Sequence, residues 1–280
     1  MTTYALIGAA GYIAPRHMQA IRETGGELVA ALDPHDSVGI LDRYAPGCAY
    51  FREPERFDRH LSRHPVDYVV ICSPNYLHDA HCRLALRTGA DAICEKPLVL
   101  HERNLDELSR VEEQTGKRVW TVLQCRLHPE AVAAKEGIQD DRWYSVEVNY
   151  QTPRGPWYSY SWKGDEAKSG GVTENIGIHL FDLVSWLFGP ASAISQAHAW
   201  PHLAYGRFNT DRATVHWRLS INGGDRSRVF DIDGEPLDLT KGFEDLHTEV
   251  HRRILAGQGC GIEDIRPATR IVEAIRNANH

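Results

Sequence analysis

The sequence lacks three features that would each indicate a particular class of protein. It has no excess of basic residues, because 31 Lys and Arg stand against 38 Asp and Glu and give a net charge of -7. It has no apolar run approaching the ~18–20 residues that span a bilayer, and no basic, cleavable leader precedes its first strand-like run. We therefore expect a cytoplasmic protein that binds neither a nucleic-acid polymer nor a membrane.

Cysteine is scarce and follows no pairing pattern. The six cysteines contain no CxxC pair and no regular spacing, and Cys72 and Cys94 fall inside apolar runs. A disulfide or zinc framework would be indicated by such pairs or spacing. We therefore expect reduced, mostly buried thiols, and the sequence predicts no metal site.

The order of apolar and polar residues predicts two domains of different class within the 280 residues. Residues 1–122 alternate continuous apolar strands with amphipathic helices, which is typical of a doubly wound parallel sheet of the Rossmann type. In residues 123–280, alternating strands such as Tyr144–Tyr150 predict an α+β domain with a mainly antiparallel open sheet. Such a sheet usually finds a partner, so we expect a homodimer or homotetramer formed through it.

Local signals predict further elements in the second domain. Asn222-Gly223-Gly224-Asp225 predicts a hairpin turn, and Asp233-Gly234 predicts a second turn. Asn175–Phe188 is predicted to be a helix followed by a glycine. Residues 243–280 are predicted to form two helices split by Gly257–Gly261.

A glycine-rich turn near the amino terminus predicts a dinucleotide site. Gly8, Gly11 and Ala14 form the pattern G-x-x-G-x-x-A between a strand and a helix, which allows a tight turn and close approach of the backbone to a pyrophosphate. Asp33 ends the next strand, 22 residues after Gly11, where a carboxylate binds the ribose hydroxyls. Because a carboxylate repels a 2′-phosphate, the predicted cofactor is NAD rather than NADP. Taken alone, Asp33 could also be a turn cap before Pro34.

Two motifs further along the chain contain residues suited to catalysis. Cys94-Glu95-Lys96-Pro97 ends an apolar strand, and Gly170-Gly171…Asn175…Gly177…His179…Asp182 lies in the second domain. Together with the glycine turn and Ser73-Pro74-Asn75, they resemble the glucose–fructose oxidoreductase / inositol dehydrogenase family in order and spacing over essentially the whole chain. The resemblance implies that NAD(P) binds in the first domain and a polyol or sugar at the domain junction. It also implies that Lys96 and His179 form the chemical site.

A narrower resemblance is visible in the loop before the second motif. Arg154-Gly155-Pro156-Trp157-Tyr158 and Ser161-Trp162-Lys163-Gly164-Asp165 are similar to segments of bacterial UDP-N-acetylglucosaminuronic acid 3-dehydrogenases, as is Asn175, where the broader family usually has Asp. This resemblance implies NAD-dependent oxidation of the carbon-3 hydroxyl of a UDP-linked N-acetylamino-uronic acid, in diamino-sugar and surface polysaccharide biosynthesis. A 2-oxo acid could reoxidise the cofactor. The short turn Asn222–Arg226 departs from the longer excursion expected at one sheet edge.

The chemistry of the individual residues supports the same assignment. Oxidation of a secondary alcohol requires removal of a proton as hydride leaves, and His179 titrates near neutrality. Lys96 can stabilise alkoxide character or accept the proton itself. Asp182, three residues after His179, can orient its ring, and Asn175, four residues before it, can contact substrate or cap the helix. Each residue alone would more often be a packed, capping or loop residue, but their joint order favours catalysis.

The predicted site residues fall into three sets. The catalytic residues are Lys96, His179 and Asp182. The residues that contact the cofactor are Gly8, Ala10, Gly11, Tyr12, Ile13, Asp33, Ser73, Asn75, His78, Glu95, Lys96, Gln124 and Trp162. The residues that contact the substrate are Lys96, Arg154, Tyr158, Lys163, Ser169, Asn175 and His179.

Some of these assignments have structural alternatives. Ser73 and Asn75 could form only a turn and a helix cap, and the aromatic loop that holds Trp157 and Tyr160 could be a dimer contact. The histidines outside the motifs are expected on the surface, namely His60, His64, His101 and His251. Two other functions remain open: an NAD-dependent dehydrogenase of another sugar, a sugar phosphate or inositol, and a non-catalytic NAD(H)-binding regulator. The presence of Lys96, His179 and Asp182 argues against the regulator.

Overall fold

A computed structural model describes residues 1–223, 226–239, 242 and 245–278 of the chain. The strands in these residues are β1 (Thr3–Ile7), β2 (Glu27–Leu32), β3 (Ala49–Phe51), β4 (Tyr68–Ile71), β5 (Asp91–Cys94), β6 (Val119–Thr121), β7 (Tyr144–Gln151), β8 (Ala191–Trp200), β9 (Leu203–Thr210), β10 (Ala213–Ser220), β11 (Ser227–Ile232) and β12 (Glu235–Pro236). The α-helices are α1 (Ala14–Glu23), α2 (Ile40–Tyr44), α3 (Pro54–Arg63), α4 (His78–Arg87), α5 (Glu102–Thr115), α6 (Pro129–Gly137), α7 (Trp157–Tyr160), α8 (Glu166–Ser169), α9 (Ile178–Phe188), α10 (Leu246–Leu255) and α11 (Ile262–Asn277). Over these described ranges, no helix combines the length and apolar character needed to cross a membrane.

The elements group into two compact units. The first consists of Met1–Val99, Arg103–Val122 and Asp245–Asp264, and the second of Leu100–Glu102, Leu123–Glu244 and Ile265–His280. The sequence predicted that residues 123–280 form one domain, whereas the segment that contains α10 groups with the first unit.

The first unit contains a parallel sheet in the order β3-β2-β1-β4-β5-β6. This confirms the predicted Rossmann sheet. Its central strands are apolar runs, such as Tyr4–Ile7 and Val69–Ile71, that are buried on both faces. The strand order reverses between β1 and β4, and in parallel sheets the crevice beyond the carboxyl ends at such a reversal binds ligands. The glycine turn, Ser73 and Lys96 follow β1, β4 and β5 at this edge.

Helix α10, the last but one helix of the chain, belongs to the first unit because it packs on α1 and the segment after it pairs with the sheet. Thr248 on α10 donates a hydrogen bond of 2.8 Å from its hydroxyl to the Glu23 carboxylate at the end of α1. Beyond α10, the Cys260 carbonyl accepts a hydrogen bond of 2.8 Å from the Thr121 amide on β6. Single-sequence patterns predicted α10 itself but not where it packs.

The second unit contains a sheet in the order β12-β11-β7-β10-β9-β8. Only β7 and β10 are parallel, and the other neighbouring pairs are antiparallel, which confirms a mainly antiparallel sheet. Residues of β7 alternate in burial, with Val146 and Val148 inside. Helix α9 covers the inner face, where the Phe181 ring packs edge-on against the Phe208 and Trp217 rings at centroid distances of 5.7 and 5.3 Å.

Two local predictions in the second unit differ from the structure. The predicted hairpin turn at Asn222–Asp225 includes Gly224 and Asp225, which lie outside the described residues. The strands on either side of it, β10 and β11, are separated by β7 and so do not form a hairpin. The first three residues of the predicted helix Asn175–Phe188 belong instead to a π-helical turn, Thr173–Gly177, and the α-helical part begins at Ile178. The turn at Asp233-Gly234 is confirmed, with positive φ at both residues.

Candidate functional site

The glycine turn of the first unit is fixed by a close approach of two backbones. Gly8 has a φ of +91°, and a Cβ there would lie 2.6 Å from the carbonyl carbon and oxygen of Cys72. The Gly11 amide donates a hydrogen bond of 3.0 Å to the Gly8 carbonyl, which closes the turn before α1. Only glycine fits at position 8, because any side chain would meet the backbone after β4.

Asp33 holds the glycine turn from the neighbouring strand. Its buried carboxylate accepts hydrogen bonds of 2.9 Å from the Ala10 amide and from the His35 amide. Asp33 therefore caps its own turn, as the structural alternative expected, and also supports the turn where the cofactor is predicted to bind. Its contact with a ribose stays a prediction. Tyr12 is almost fully exposed on this turn, and Ile13 beside it is half-buried.

The segment after β4 places three predicted cofactor residues at the same edge. The Ser73 hydroxyl lies 2.8 Å from Nδ1 of His81, and Asn75 is buried in a short 3-10 helix, Asn75–Leu77. His78 is buried with Nδ1 2.6 Å from the Pro97 carbonyl and Nε2 2.8 Å from the Ser73 carbonyl. Burial lowers the pKa of His78, although its contacts with the two carbonyls oppose this shift. In the structure His78 thus connects the segment after β4 to the segment after β5.

Glu95 has partners that sequence patterns did not indicate. The Glu95 amide donates to the Ile71 carbonyl at 3.0 Å and continues the ladder beyond β5. Its Oε1 lies 3.0 Å from Nε2 of His17 and 3.2 Å from Nε2 of His247. Burial alone would raise the pKa of Glu95, but the hydrogen bonds from the two histidines outweigh it and hold this pKa well below its ordinary value. Lys96, the next residue, is half-buried.

The prediction that His251 lies on the surface is wrong. His64 and His101 are exposed and His60 is half-buried, but His251 is fully buried on α10. His247 and His251 are four residues apart, so they share one face of the helix, beside the apolar stripe of Leu246, Val250 and Ile254. This spacing was a readable signal for burial.

In the second unit, His179 is the second residue of α9, directly after the π-helical turn. π-helical turns are frequent at functional sites. Asn175 lies inside this turn, and its side-chain amide donates a hydrogen bond of 3.1 Å to the hydroxyl of Tyr158. Burial raises the pKa of Tyr158. The structure thus brings together two of the predicted substrate residues, Asn175 and Tyr158, which are 17 positions apart.

Asp182 is engaged by a guanidinium. Its carboxylate accepts hydrogen bonds from Nε and Nη2 of Arg126 at 3.1 and 2.7 Å, and both side chains are largely buried. This ion pair fixes the middle of α9 to the 3-10 helix Gln124–Leu127. The predicted role of Asp182 in orienting His179 stays a prediction. Gln124 is also buried, and its side-chain oxygen has no hydrogen-bond partner among the described residues.

The loop before the second motif carries the remaining predicted substrate residues. Arg154 is exposed, and Nζ of Lys163 lies 5.4 Å from the Trp162 ring centroid and 5.9 Å from that of Trp157. Ser169 is fully buried, and its hydroxyl accepts a hydrogen bond of 3.1 Å from the Gly171 amide. The Lys163 ammonium therefore lies close to two indole rings of the loop.

Comparison with known proteins matches two parts of the chain to models of an oxidoreductase family. Residues 2–123 match the model of an oxidoreductase family with an NAD-binding Rossmann fold. Residues 141–224 match the model of the carboxyl-terminal alpha/beta domain of an oxidoreductase family.

Among solved structures, the chain is similar to the WlbA (WbpB) dehydrogenase from Thermus thermophilus. The crystal structure of that protein in complex with NAD and UDP-GlcNAcA superposes on this chain with a TM-score of 0.95. The two sequences are 45% identical, and the match covers 99% of this chain and 95% of the other. Its structure with NAD and alpha-ketoglutarate is 46% identical, with the same TM-score and the same coverage of both chains.

Among curated proteins, the chain is similar to inositol 2-dehydrogenase from Rhizobium meliloti (strain 1021), with 28% identity over 200 residues. This match covers 69% of the chain but spans only 58% of the length of that relative.

The contacts of Asp33 generate a prediction about cofactor choice. We expect the wild-type protein to bind NADH at least about tenfold more tightly than NADPH, because juxtaposed like charges cost several kcal/mol. Asp33→Asn keeps an acceptor oxygen for the Ala10 amide but removes the negative charge, so it should reduce the difference between the affinities for NADH and NADPH. The measurement is fluorescence titration of both dinucleotides, with Asp36→Asn as a control on the same loop. Equal affinities in the wild-type protein would rule out this role for Asp33.

Proposed function

We propose that this chain is an NAD-dependent dehydrogenase that acts on UDP-N-acetylglucosaminuronic acid. The chain belongs to the glucose–fructose oxidoreductase / inositol dehydrogenase family of oxidoreductases, also called GFO/IDH/MocA. The reaction converts the carbon-3 hydroxyl of the sugar to a ketone. The observation that carries the proposal is the 45% identity, over 99% of the chain, to a dehydrogenase whose crystal structure holds NAD and UDP-GlcNAcA. The ketone suits a following amino transfer, consistent with a place in diamino-sugar and surface polysaccharide biosynthesis.

The first unit fits the proposed cofactor. A Cβ at Gly8 would fill the tight turn, and the amide of Ala10 is held in place by Asp33. Helix α1 begins directly after this turn, and helix amino termini attract phosphates. When bound, NAD would accept the hydride from the sugar. We propose that the diphosphate lies against this glycine turn and accepts hydrogen bonds from the amides of Tyr12 and Ile13 just before α1, while Asp33 binds the adenosine ribose.

Lys96 and His179 are the proposed acid–base groups. As the carbon–hydrogen bond breaks and hydride leaves with its electron pair, the hydroxyl proton must pass to a base. We assign this base to His179 and the stabilisation of alkoxide character to Lys96, whose ammonium is a strong donor. The Asp182–Arg126 ion pair supports this assignment by anchoring α9, the helix on which His179 lies.

The aromatic loop is the proposed recognition element for the anionic substrate. Arg154 and Lys163 supply positive charge in a chain with a net charge of -7. An arginine can bind a carboxylate or a phosphate through two parallel hydrogen bonds. Asn175 and Tyr158, joined by a hydrogen bond, are proposed to contact the sugar. The similarity to a structure with NAD and alpha-ketoglutarate supports a 2-oxo acid as the reoxidant of NADH.

A second candidate function is the oxidation of inositol or another sugar. The similarity to inositol 2-dehydrogenase favours it, but identity there is 28% and covers 58% of that protein. The two candidates differ in charge, because inositol and free sugars carry no carboxylate or diphosphate. They are therefore separated by the substrate test below.

A self-association surface is proposed on the sheet of the second unit. On β8 and β9, the rings of His198, Trp200 and Tyr205 form a cluster with centroid distances of 5.1 to 5.9 Å. Trp200 is 52% exposed, and exposed aromatic clusters of this kind mark interaction sites. We propose that a second copy of the chain covers this face in a homodimer or homotetramer.

The catalytic assignment predicts separate losses of turnover. Lys96→Met and His179→Ala should each lower kcat by ~10²–10⁴, the usual range for a positioned acid–base group. NADH binding should survive in both variants, because the glycine turn and Asp33, which are proposed to hold the dinucleotide, are unchanged. The measurement is NADH formation at a saturating sugar concentration, with Lys117→Met and His64→Ala as controls. A variant that keeps near wild-type turnover would remove its residue from the mechanism.

The substrate assignment predicts discrimination by charge. UDP-N-acetylglucosamine lacks the carboxylate, so a basic partner would be left unmatched and kcat/KM should fall by roughly 30- to 1,000-fold. Arg154→Ala or Lys163→Ala should reduce kcat/KM for the uronic acid more than for the neutral sugar. The control is Arg56→Ala, an exposed site on α3. If UDP-N-acetylglucosamine or free inositol is oxidised as well as the uronic acid, the narrower function fails.

The proposed self-association predicts that the protein forms a smaller oligomer when the aromatic cluster is made polar. Trp200→Ser combined with Tyr205→Ser should lower the mass measured by light scattering to that of fewer chains, because the apolar area buried between copies is lost. Val132→Ser, which changes an exposed residue of α6, should leave the mass unchanged. A monomeric wild-type protein would contradict the proposal.

A further inference from the structure

The carboxylate of Glu95 lies among three buried histidine rings of the first unit. His17 comes from α1, and His247 and His251 come from α10. The three histidines are 0%, 2% and 0% exposed, and Glu95 is 7% exposed. Nδ1 of His17 lies 3.0 Å from Nε2 of His251, so the rings form a connected series behind the carboxylate. We call His17, His247, His251 and Glu95 the histidine cluster.

The protons of the histidine cluster can be assigned from its contacts. Glu95 is ionised and can only accept, so His17 and His247 each donate from Nε2. Burial lowers the pKa of His17, which is therefore neutral and has an unprotonated Nδ1. That nitrogen accepts from Nε2 of His251, whose own pKa is lowered well below its ordinary value by burial. The result is one buried anion held by two imidazole N–H donors, with a third histidine fixing the ring of the first.

The same donor atoms could in principle bind a divalent metal. Nε2 of His17, Nε2 of His247 and an oxygen of Glu95 lie within 4.8 Å of one another. However, a metal-bound imidazole normally donates its other N–H to a partner. Nδ1 of His247 is buried and has no hydrogen-bond partner in the described part of the chain. The contacts of 3.0 and 3.2 Å are accounted for by hydrogen bonds, so we infer a metal-free network.

The histidine cluster bears on Lys96 because the residues on both sides of that lysine are held. On one side, the Glu95 amide is bonded to Ile71 and its carboxylate to the cluster. On the other side, the Pro97 carbonyl is 2.6 Å from the ring of His78. Glu95 and Pro97 are buried, whereas Lys96 between them is half-buried. The backbone that carries the lysine is therefore fixed at both ends by buried imidazole rings.

We propose that His17 and His247 are positioning residues, which hold Glu95 as a carboxylate and so fix the backbone from which Lys96 reaches the substrate. The proposal rests on the proposed function, in which Lys96 takes part in the chemistry. It assigns a catalytic consequence to α10, a helix more than a hundred residues further along the chain than Lys96. His251 acts one step further back, by fixing the ring of His17.

The test compares variants that remove the hydrogen bond to Glu95 with variants that keep it. His17→Leu and His247→Leu remove the donor, whereas His17→Gln and His247→Gln place an amide N–H where Nε2 lies. Ile254→Ala, on the same helix α10, removes buried packing without touching Glu95. Each variant is assayed on whichever sugar the wild-type protein oxidises fastest. The fraction of folded protein is measured by NADH titration, and kcat is calculated for that fraction.

The leucine variants should lower kcat by ~10–100-fold, comparable to the loss when a hydrogen-bond partner that orients a metal-binding residue is removed. KM for NAD should change by less than about threefold, because the lost group supports the chemical step rather than cofactor binding. The glutamine variants should recover most of the lost kcat. Ile254→Ala should lower Tm but leave the kcat of the folded fraction within about twofold.

Two results would overturn the proposal. Equal losses of kcat in the leucine, glutamine and Ile254→Ala variants would show a merely structural role. Stoichiometric zinc that survives dialysis against a chelator would replace the hydrogen-bonded network by a metal site. The ring tautomers are read separately by ¹⁵N NMR of labelled histidine, where His17 and His247 should both carry a proton on Nε2. If the wild-type protein oxidises no sugar at all, the proposed function fails, and so does the role in positioning Lys96 for catalysis, while the NMR result still decides the network.

Discussion

The buried carboxylate of Glu95 is the interaction on which the arrangement of the first unit depends. A carboxylate out of water must be compensated by hydrogen bonds or opposite charge, and here two imidazole donors do so. Those donors come from α1 and α10, which are far apart in the chain. The requirement to solvate one anion therefore ties the amino-terminal helix, the end of β5 and a carboxyl-terminal helix into one unit.

The second unit also contains a buried carboxylate whose charge is compensated. Asp182 on α9 is paired with Arg126 through two hydrogen bonds, and both side chains are largely removed from water. Losing one partner of such a pair typically costs ~3–5 kcal/mol, so the pair strongly constrains its helix. In each unit, a buried carboxylate lies close in sequence to a proposed acid–base group: Glu95 beside Lys96, and Asp182 three residues after His179. Rigid support of this kind is what accurate positioning of reacting groups requires.

The sequence was most informative where local patterns decide the structure. The parallel sheet of the first unit was predicted from its continuous apolar runs, because strands buried on both faces are apolar at every position. Elements with few apolar residues carry a weaker signal, as in α3, which buries only Phe57 and Leu61. The histidine cluster could not be predicted, because its contacts join residues 78 and 152 positions apart. The roles of Lys96 and His179 were inferred from a resemblance, and no local pattern supplies them.

The central claim is most directly tested by locating the oxidised carbon in the product. The protein is incubated with NAD, UDP-N-acetylglucosaminuronic acid and a 2-oxo acid, and the ketone formed is then reduced with borodeuteride. NMR of the recovered sugar nucleotide should show deuterium at carbon 3, and the His179→Ala protein should give almost none. Deuterium at a different carbon, or none with protein that still binds NADH, would contradict the account.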